Sequence, residues 1–244
     1  VERSRGLGDV YKRQDLQGLH RLHAMSAVIN DVTVTCSMHM GNGKTSFLLE
    51  SLKDSKTAWL SDDSPLISKD GVPHCFPLRI GVTASWLEKH QHSSAHIDFT
   101  QMYEITRMKY GKKHLLPITA FKNTILKSST SPQLILLGKR TQGPCRIVSI
   151  SAMRALPILF LNLAVGLGLP MMREYFFEPG LKRNLNIPRI FFSRLGVVLK
   201  LMRQSHFAYI QLSPDPSNNL KVLCSFLENK VPQPASKLLR NPQP

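Results

Sequence analysis

The sequence is poor in acidic residues, cysteines and aromatic residues. Its 244 residues include 16 Asp and Glu against 32 Lys and Arg, which gives a formal net charge of +16. The four cysteines lie far apart and form no CxxC pair, so no zinc or disulfide framework is indicated and a reducing, cytoplasmic location is expected. Aromatic residues make up only 7% of the chain, which is few for a protein that stacks on nucleic-acid bases.

The chain also lacks an uninterrupted apolar run long enough to cross a membrane, which takes about 20 residues. The longest apolar stretch, 152–172, is interrupted by proline, glycine and asparagine at Pro157, Asn162, Gly166, Gly168 and Pro170. We therefore predict a buried core helix that begins after Ser151 and ends near 166–168. No stable membrane insertion is expected.

The surplus of basic residues predicts an anionic partner. ATP, an acidic peptide or headgroup, and nucleic acid would each satisfy it. The basic residues are dispersed and not interleaved with aromatic residues, so nucleic acid is not the expected partner. The densest group is Arg107, Lys109, Lys112 and Lys113. We interpret this group either as the rim of an anion site or as a solvated face.

The segment 32–50 predicts a strand, a glycine loop and a helix in succession. Apolar residues alternate with threonines over 32–36, which is the period of a strand. Gly41 and Gly43 can adopt backbone angles that other residues avoid. Phe47 and Leu48 then begin a helical pattern. This order is the context in which a glycine loop binds phosphate.

The chemistry of phosphate binding assigns roles within this loop. A helix N-terminus and successive backbone N–H groups attract an anion. We predict that ATP is bound by six consecutive residues, Gly41, Asn42, Gly43, Lys44, Thr45 and Ser46. Lys44 would contact the terminal phosphates and Thr45 would hold magnesium. Met38 replaces the first glycine of the usual pattern GxxxxGK[ST], and the alternative interpretation is a glycine turn that happens to precede a lysine.

Two carboxylates, Asp62 and Asp63, end the short apolar run 57–61. In a parallel sheet, acids at the carboxyl end of such a strand face the same crevice as the phosphate loop. One aspartate would hold magnesium, and the other would accept a proton from an attacking hydroxyl or water. The alternative interpretation is an Asp-rich turn without a catalytic role.

Taken together, Leu22-His23-Ala24, Gly43-Lys44-Thr45 and Ser61-Asp62-Asp63 resemble the HPr kinase/phosphorylase family, whose P-loop fold is shared with PEP carboxykinase. The similarity extends over about 20–228 and is nearest to the uncharacterised bacterial ATP-binding branch. It implies an α/β fold, a P-loop-containing mixed sheet with flanking helices like the C-terminal domain of HPr kinase. The glycine-rich signature of the HPr enzyme is not found, so the resemblance does not extend to HPr as substrate or to phosphorylase activity.

The resemblance also implies which residues act. The implied catalytic residues are Asp63, Asp62, His23 and Lys44, and the implied ligands of Mg²⁺ are Thr45 and Asp62. The implied cofactors are ATP and Mg²⁺. Two arginines are further candidates for contact with phosphate or an acidic substrate, Arg79 and Arg107. A surface position without such a contact is the alternative for both.

The chain divides into three parts by sequence. Residues 1–14 resemble translated sequencing-adapter sequence, and we expect them to be non-native. Residues 15–230 are expected to form one nucleotide-binding domain. Residues 231–244 contain four prolines and are expected to be a disordered tail. A homo-oligomer is compatible with this organisation.

Shorter patterns predict the remaining elements. Strands are expected at 133–138, 145–150 and 207–212, a helix at 190–202, and a last helix capped by Ser217. The polar region 83–98 predicts a loop. It contains His90, His92 and His96, but their spacing does not match that of a known metal-binding motif.

Three functions follow from these patterns. The first is an ATP-dependent kinase that transfers the γ-phosphoryl group to a hydroxyl on a protein serine or a small molecule. The second is a non-catalytic ATP-binding accessory module. The third is a basic nucleic-acid-binding protein, which the charge permits but no motif indicates.

Overall fold

The computed structural model describes residues 10–76, 78–90, 97–107, 111–122, 125, 128–130, 132–167 and 186–230. Within these residues the chain has the predicted α/β class. The helices are residues 10–16 (α1), Lys44–Ser51 (α2), Ala84–His90 (α3), Ala152–Leu159 (α4), Asn186–Gln204 (α5) and Pro216–Lys230 (α6). Short 3₁₀ turns occupy Phe99–Gln101 and Ile118–Ala120.

The strands form one six-stranded sheet and two three-stranded sheets in the described part of the chain. They are β1 Leu19–Arg21, β2 Met25–Ile29, β3 Val32–Met38, β4 Ala58–Ser61, β5 Leu66–Ser68, β6 Pro73–His74, β7 Ile80–Val82, β8 Tyr103–Arg107, β9 Gly111–Leu116, β10 Gln133–Arg140, β11 Arg146–Ser149 and β12 Ser205–Leu212. The small sheets have the orders β1-β5-β6 and β7-β9-β8.

The large sheet has the order β11-β12-β10-β3-β2-β4. β10 pairs in parallel with both β3 and β12. β2 is antiparallel to β3 and to β4, so β4 runs in the same direction as β3. The carboxyl ends of β3, β4, β10 and β12 therefore lie at one edge of the sheet, where open α/β sheets bind ligands.

A tight hairpin connects β2 to β3 and places β3 beside β2 in the large sheet. Its two turn residues, Asn30 and Asp31, have φ angles of 48° and 58°, which asparagine and aspartate tolerate better than most residues and which match the twist of a tight hairpin. β3 then alternates apolar residues with hydroxyl residues that are buried and hydrogen-bonded. Thr33 Oγ1 lies 2.6 Å from Ser129 Oγ, and Thr35 Oγ1 lies 3.1 Å from Ser26 Oγ.

Two hydrophobic cores lie against the large sheet. One contains the apolar side chains of β3 together with residues of α2 and α6, such as Phe47 and Leu223. The other contains residues of α4 and α5, such as Leu159 and Val198. β10 belongs to both, because Leu134 and Leu136 pack in the first core and Ile135 and Leu137 pack in the second.

The helix predicted after Ser151 is present and ends where the sequence indicated, but it is buried on one face only: Ala155 and Leu159 are buried, whereas Met153 is 69% exposed. Ser151 Oγ accepts a hydrogen bond from Arg154 N at 3.4 Å, so it caps α4. A π-helical segment, Phe160–Val165, continues from α4 and stops at Gly166, whose φ is 77°. Among the described residues, no helix is both long enough and apolar enough to cross a membrane.

Two local predictions are wrong. The region 83–98 is not all loop, because it contains α3. Thr83 Oγ1 accepts from Trp86 N at 3.3 Å, and the rings of Trp86 and His90 stack one helical turn apart, with centroids 4.4 Å apart. The capping group and the i,i+4 ring pair offset the polar composition. His92 and His96 lie outside the described residues.

The cap of the last helix is Asp215, not Ser217. Asp215 Oδ1 accepts a hydrogen bond from Ser217 N at 2.9 Å, and Pro216 occupies the first helical position, which suits a residue without a backbone N–H. The Ser217 hydroxyl instead donates to Glu50 Oε1 at 2.6 Å. This bond ties α6 to α2.

A buried polar network joins the start of the described chain to α5. Asp15 Oδ1 accepts from His20 Nδ1 at 2.7 Å and from Arg194 Nε at 2.9 Å. His20 Nε2 lies 2.9 Å from Ser193 Oγ. Within the segment expected to be non-native, the Tyr11 ring lies 3.8 Å from the guanidinium of Arg21. Residues 1–9 and 231–244 lie outside the described residues.

Candidate functional site

The glycine loop, residues 39–43, connects β3 to α2 at the carboxyl edge of the large sheet. Gly41 and Gly43 have φ angles of 83° and 89°, in the left-handed region that favours glycine. α2 begins at Lys44 without a side-chain cap on its first N–H groups. A helix end in this state offers backbone donors and a positive dipole to an anion.

Lys44 is 6% exposed, and its ammonium contacts two backbone oxygens and one imidazole nitrogen. Nζ donates to Met38 O at 2.6 Å and lies 3.5 Å from His39 O. The third contact is His23 Nε2 at 2.9 Å. Burial lowers the pKa of Lys44, and the nearby Asp63 carboxylate opposes that shift. The Lys44 ammonium is therefore a positive charge held by these contacts at a largely buried position.

Thr45 and Asp62 meet on the other side of the loop. Thr45 Oγ1 donates to Asp62 Oδ2 at 3.2 Å. Asp62 is 8% exposed, and its Oδ1 is buried without a hydrogen-bond partner. Burial, and after it the charge of Asp63, raises the pKa of Asp62 to about 7. A bound cation would give the buried Asp62 Oδ1 the partner that it lacks among the described residues.

His23 connects Lys44 to the second carboxylate. Its Nδ1 lies 3.3 Å from Asp63 Oδ1, and its Nε2 faces the Lys44 ammonium. Burial first, and then the charge of Lys44, lowers the pKa of His23, so the ring is neutral at neutral pH. Because Nε2 faces a donor and acts as the acceptor, the proton of the neutral ring lies on Nδ1, which makes no hydrogen bond with the described residues. Asp63 itself has a half-exposed side chain.

Strand direction and two backbone bonds explain why these segments meet. His23 lies in the turn between β1 and β2, and the aspartates follow β4 directly. Ala24 N donates to Asp63 O at 3.2 Å, and Leu22 N donates to Pro65 O at 3.1 Å. The structure thus brings His23, Lys44, Thr45, Asp62 and Asp63 into one group, although they come from three separate stretches of chain.

The donor set fits a hard cation. A hydroxyl and a carboxylate are oxygen ligands of the kind magnesium takes, usually one or two from protein with the rest from phosphate and water. No group of three or more His, Cys, Asp or Glu side chains that could hold a metal ion is found among the described residues. The site therefore suits an ion that arrives with a polyphosphate better than one caged by protein alone.

The other residues of the predicted loop have distinct positions. Asn42 Oδ1 accepts from Arg140 N at 3.3 Å, so the Asn42 side chain fastens the loop to β10. Ser46 lines a neighbouring cavity with Gly43. Met38 is 3% exposed and packs in the first core, whereas Met40 is 60% exposed.

Of the two candidate arginines, only Arg79 has a described side chain, and none of its described contacts is with this group. Arg79 is exposed, and its guanidinium lies 5.0 Å from the centroid of the Tyr103 ring. Arg107 ends β8, and its side chain lies outside the described residues. Lys113 of the same basic group is near enough to Asp62 for its charge to lower the pKa of that carboxyl. Lys112 instead pairs with Glu104 at 3.0 Å.

Sequence reasoning missed Arg140. It ends β10 next to the glycine loop, and with Asn42, Gly43 and Ser46 it lines a cavity of about 80 Å³. The same cavity is also lined by Leu212, Ser213, Pro214, Pro216 and Asn219. The available signal was the pair Lys139-Arg140 directly after the buried run 133–138, at the carboxyl end of a strand predicted to be buried.

The fold and the site define an α/β protein with a glycine loop, a buried lysine and paired aspartates at the carboxyl edge of a mixed sheet. Comparison with protein-family models and with curated proteins gives no match to this chain.

Proposed function

We propose that the chain is an ATP-dependent phosphotransferase of the HPr-kinase-like P-loop type, which transfers the γ-phosphoryl group to a hydroxyl on a protein serine or a small molecule. One observation supports this proposal most. A helix N-terminus, a buried ammonium, a hydroxyl, an imidazole and two carboxylates converge from three stretches of chain, with Thr45 Oγ1 3.2 Å from Asp62 Oδ2 and Lys44 Nζ 2.9 Å from His23 Nε2.

The loop residues would bind the polyphosphate of ATP. The backbone N–H groups at the start of α2 would donate to phosphate oxygens, and Lys44 would exchange one of its present acceptors for a phosphate oxygen. Thr45 and Asp62 would hold Mg²⁺, with the unpartnered Asp62 Oδ1 available to it. When bound by Thr45 and Asp62, Mg²⁺ would neutralise negative charge on the phosphates.

Asp63 would serve as the proton acceptor. Its half-exposed carboxylate would accept the proton of a substrate hydroxyl, and His23 Nδ1 lies 3.3 Å from Asp63 Oδ1. As the acceptor oxygen bonds to the γ-phosphorus, the bond from that phosphorus to the ADP oxygen breaks, and Asp63 takes the hydroxyl proton. Chemistry of this type depends mainly on positioning and charge, so few residues are needed.

The binding half of the proposal is tested with Lys44→Met, which keeps most of the side-chain length and removes the charge. We expect the variant to bind Mg-ATP at least about tenfold more weakly by isothermal titration calorimetry, because a charge-assisted hydrogen bond contributes about 1.5–3 kcal/mol. Lys56→Ala, an exposed lysine in the loop after α2, is the matched control. Circular dichroism checks the fold of both variants.

An unchanged affinity in the folded Lys44→Met variant would contradict the assignment of the loop, and a wild-type chain that does not bind Mg-ATP would overturn the proposal.

The catalytic half of the proposal is tested with Asp63→Asn. We expect ATP binding to remain and ADP release to fall by roughly 10²–10⁴, the usual contribution of general base catalysis. Binding without ADP release by the wild type would instead indicate the ATP-binding accessory module.

A further inference from the structure

The glycine loop has unlike neighbours on its two sides. The aspartates follow β4, which is separated from β3 by β2. On the other side, β10 is the direct parallel neighbour of β3 and ends in Arg140. A polyphosphate lying on the loop would thus have carboxylates at one end and a guanidinium at the other.

Arg140 is placed to contact what the loop binds. Its backbone N–H is fixed by Asn42 Oδ1, and its side chain is so near the loop that a Cβ atom at Gly43 would lie 4.0 Å from Arg140 Cδ. The residue is exposed, and no carboxylate forms an ion pair with its guanidinium in the described part of the chain. An unpaired guanidinium beside a helix N-terminus favours phosphate oxygens.

The chain beyond Arg140 provides a preformed wall. Asn219 is 3% exposed, and its Oδ1 accepts from Ser213 N at 2.8 Å and from Ser213 Oγ at 2.9 Å. Its Nδ2 donates to Ser213 O at 3.0 Å. These bonds fix Ser213 just beyond the carboxyl end of β12, where Leu212, Ser213, Pro214 and Pro216 line the cavity shared with Arg140 and Gly43.

Resting on the proposed function, we propose that Arg140 is a second cationic contact for the polyphosphate and that ATP lies across the loop in one direction. The γ-phosphate faces Asp62 and Asp63, and the nucleoside faces the cavity walled by 212–216. The α- and β-phosphates then lie beside Arg140, away from the carboxylate charges. The opposite direction would place the nucleoside against the aspartates and leave Arg140 beside the transferred group.

The first test compares Arg140→Gln with Lys139→Gln. The two residues are adjacent, exposed and equally charged, but side chains alternate along a strand, so only Arg140 faces α2. We expect Arg140→Gln to weaken binding of both ATP and ADP by roughly 10- to 100-fold and Lys139→Gln to change it less than about threefold, as expected for an exposed charge. Arg140→Lys should recover part of the loss, since it restores the charge but not the planar fork.

The second test locates the nucleoside. Photolabelling of the wild-type chain with 8-azido-ATP, followed by mass spectrometry of its peptides, should modify the segment 212–219. Labelling confined to 61–68 would overturn the proposed direction, and equal ATP affinities for Arg140→Gln and wild type would overturn the role of Arg140. If wild type binds ATP and Lys44→Met does not, these failures concern the inference alone. If wild type does not bind ATP, the proposed function itself fails.

Discussion

At the scale of single residues, Asp62 links the candidate site to the stability of the fold. It is 8% exposed, and burial raises its pKa to about 7. Between the usual pKa of an aspartate and pH 7, the folded chain therefore holds a proton that the unfolded chain releases. The free energy of unfolding falls as the pH rises through this window, and the contribution of protonated Asp62 is lost above about pH 7.

Asp62→Asn should remove this dependence, because asparagine resembles the protonated carboxyl. Without nucleotide or metal, we expect the variant to be more stable than wild type at pH 8 by on the order of 2–4 kcal/mol, and to have nearly the same stability near pH 4. Urea denaturation at both pH values measures the difference. Asp70→Asn, at an exposed position away from Asp62, is the control and should change stability much less.

A result in which Asp62→Asn destabilises the chain equally at pH 4 and pH 8 would contradict this account. It would mean that the hydrogen bond from Thr45 contributes more to stability than the ionisation of the carboxyl.

The size of the pH effect at Asp62 could not be predicted from the sequence. Asp62 and Asp63 are chemically identical there, and only the fold makes one buried and the other half-exposed.

At the scale of secondary-structure elements, Gly138 fixes how closely β10 and β12 approach. It pairs with Ile210, and a Cβ atom at Gly138 would lie 1.9 Å from the backbone oxygen of Ile210. No side chain fits at this position without moving the backbone. The two strands meet here near the edge that carries the site, so the glycine also affects the position of Arg140, two residues further along β10.

Gly138→Ala should therefore destabilise the chain by about 3 kcal/mol, the upper part of the range for overpacking a core. Gly196→Ala is the matched control: the same substitution on α5, where a Cβ atom meets nothing within 4 Å. It should stabilise the chain by up to about 1 kcal/mol through helix propensity. Thermal denaturation of both variants measures these opposite effects, and destabilisation by both would contradict the explanation.

Element predictions succeeded where one dominant pattern was present. β3 alternates apolar residues with hydroxyl residues, β10 and β12 contain buried apolar runs, and α5 and α6 carry the expected helical spacing. They failed where a local capping bond decided the outcome. α3 forms in a polar region because of Thr83 and the ring pair of Trp86 and His90, and α6 starts from Asp215 because that carboxylate is better placed than Ser217.

At the scale of the whole molecule, site residues that belong to a recognisable local pattern could be predicted, and Arg140, which depends on strand order, could not. The motif indicated Lys44 and Thr45, and the acids after the next apolar run indicated Asp62 and Asp63. Arg140 becomes relevant only once β10 is known to lie beside β3. Likewise, no local pattern relates Asp15 to Arg194, which pair across most of the chain.

β10 has core side chains on both of its faces, with Leu134 and Leu136 on one and Ile135 and Leu137 on the other. Neither layer of helices can separate from the sheet without exposing this strand to water, so the two layers should melt together in one cooperative transition. Native-state hydrogen exchange should find the slowest backbone amides in 134–137, at rates that report global unfolding. Faster exchange there than in β4 or β11 would show that the two layers are independent folding units.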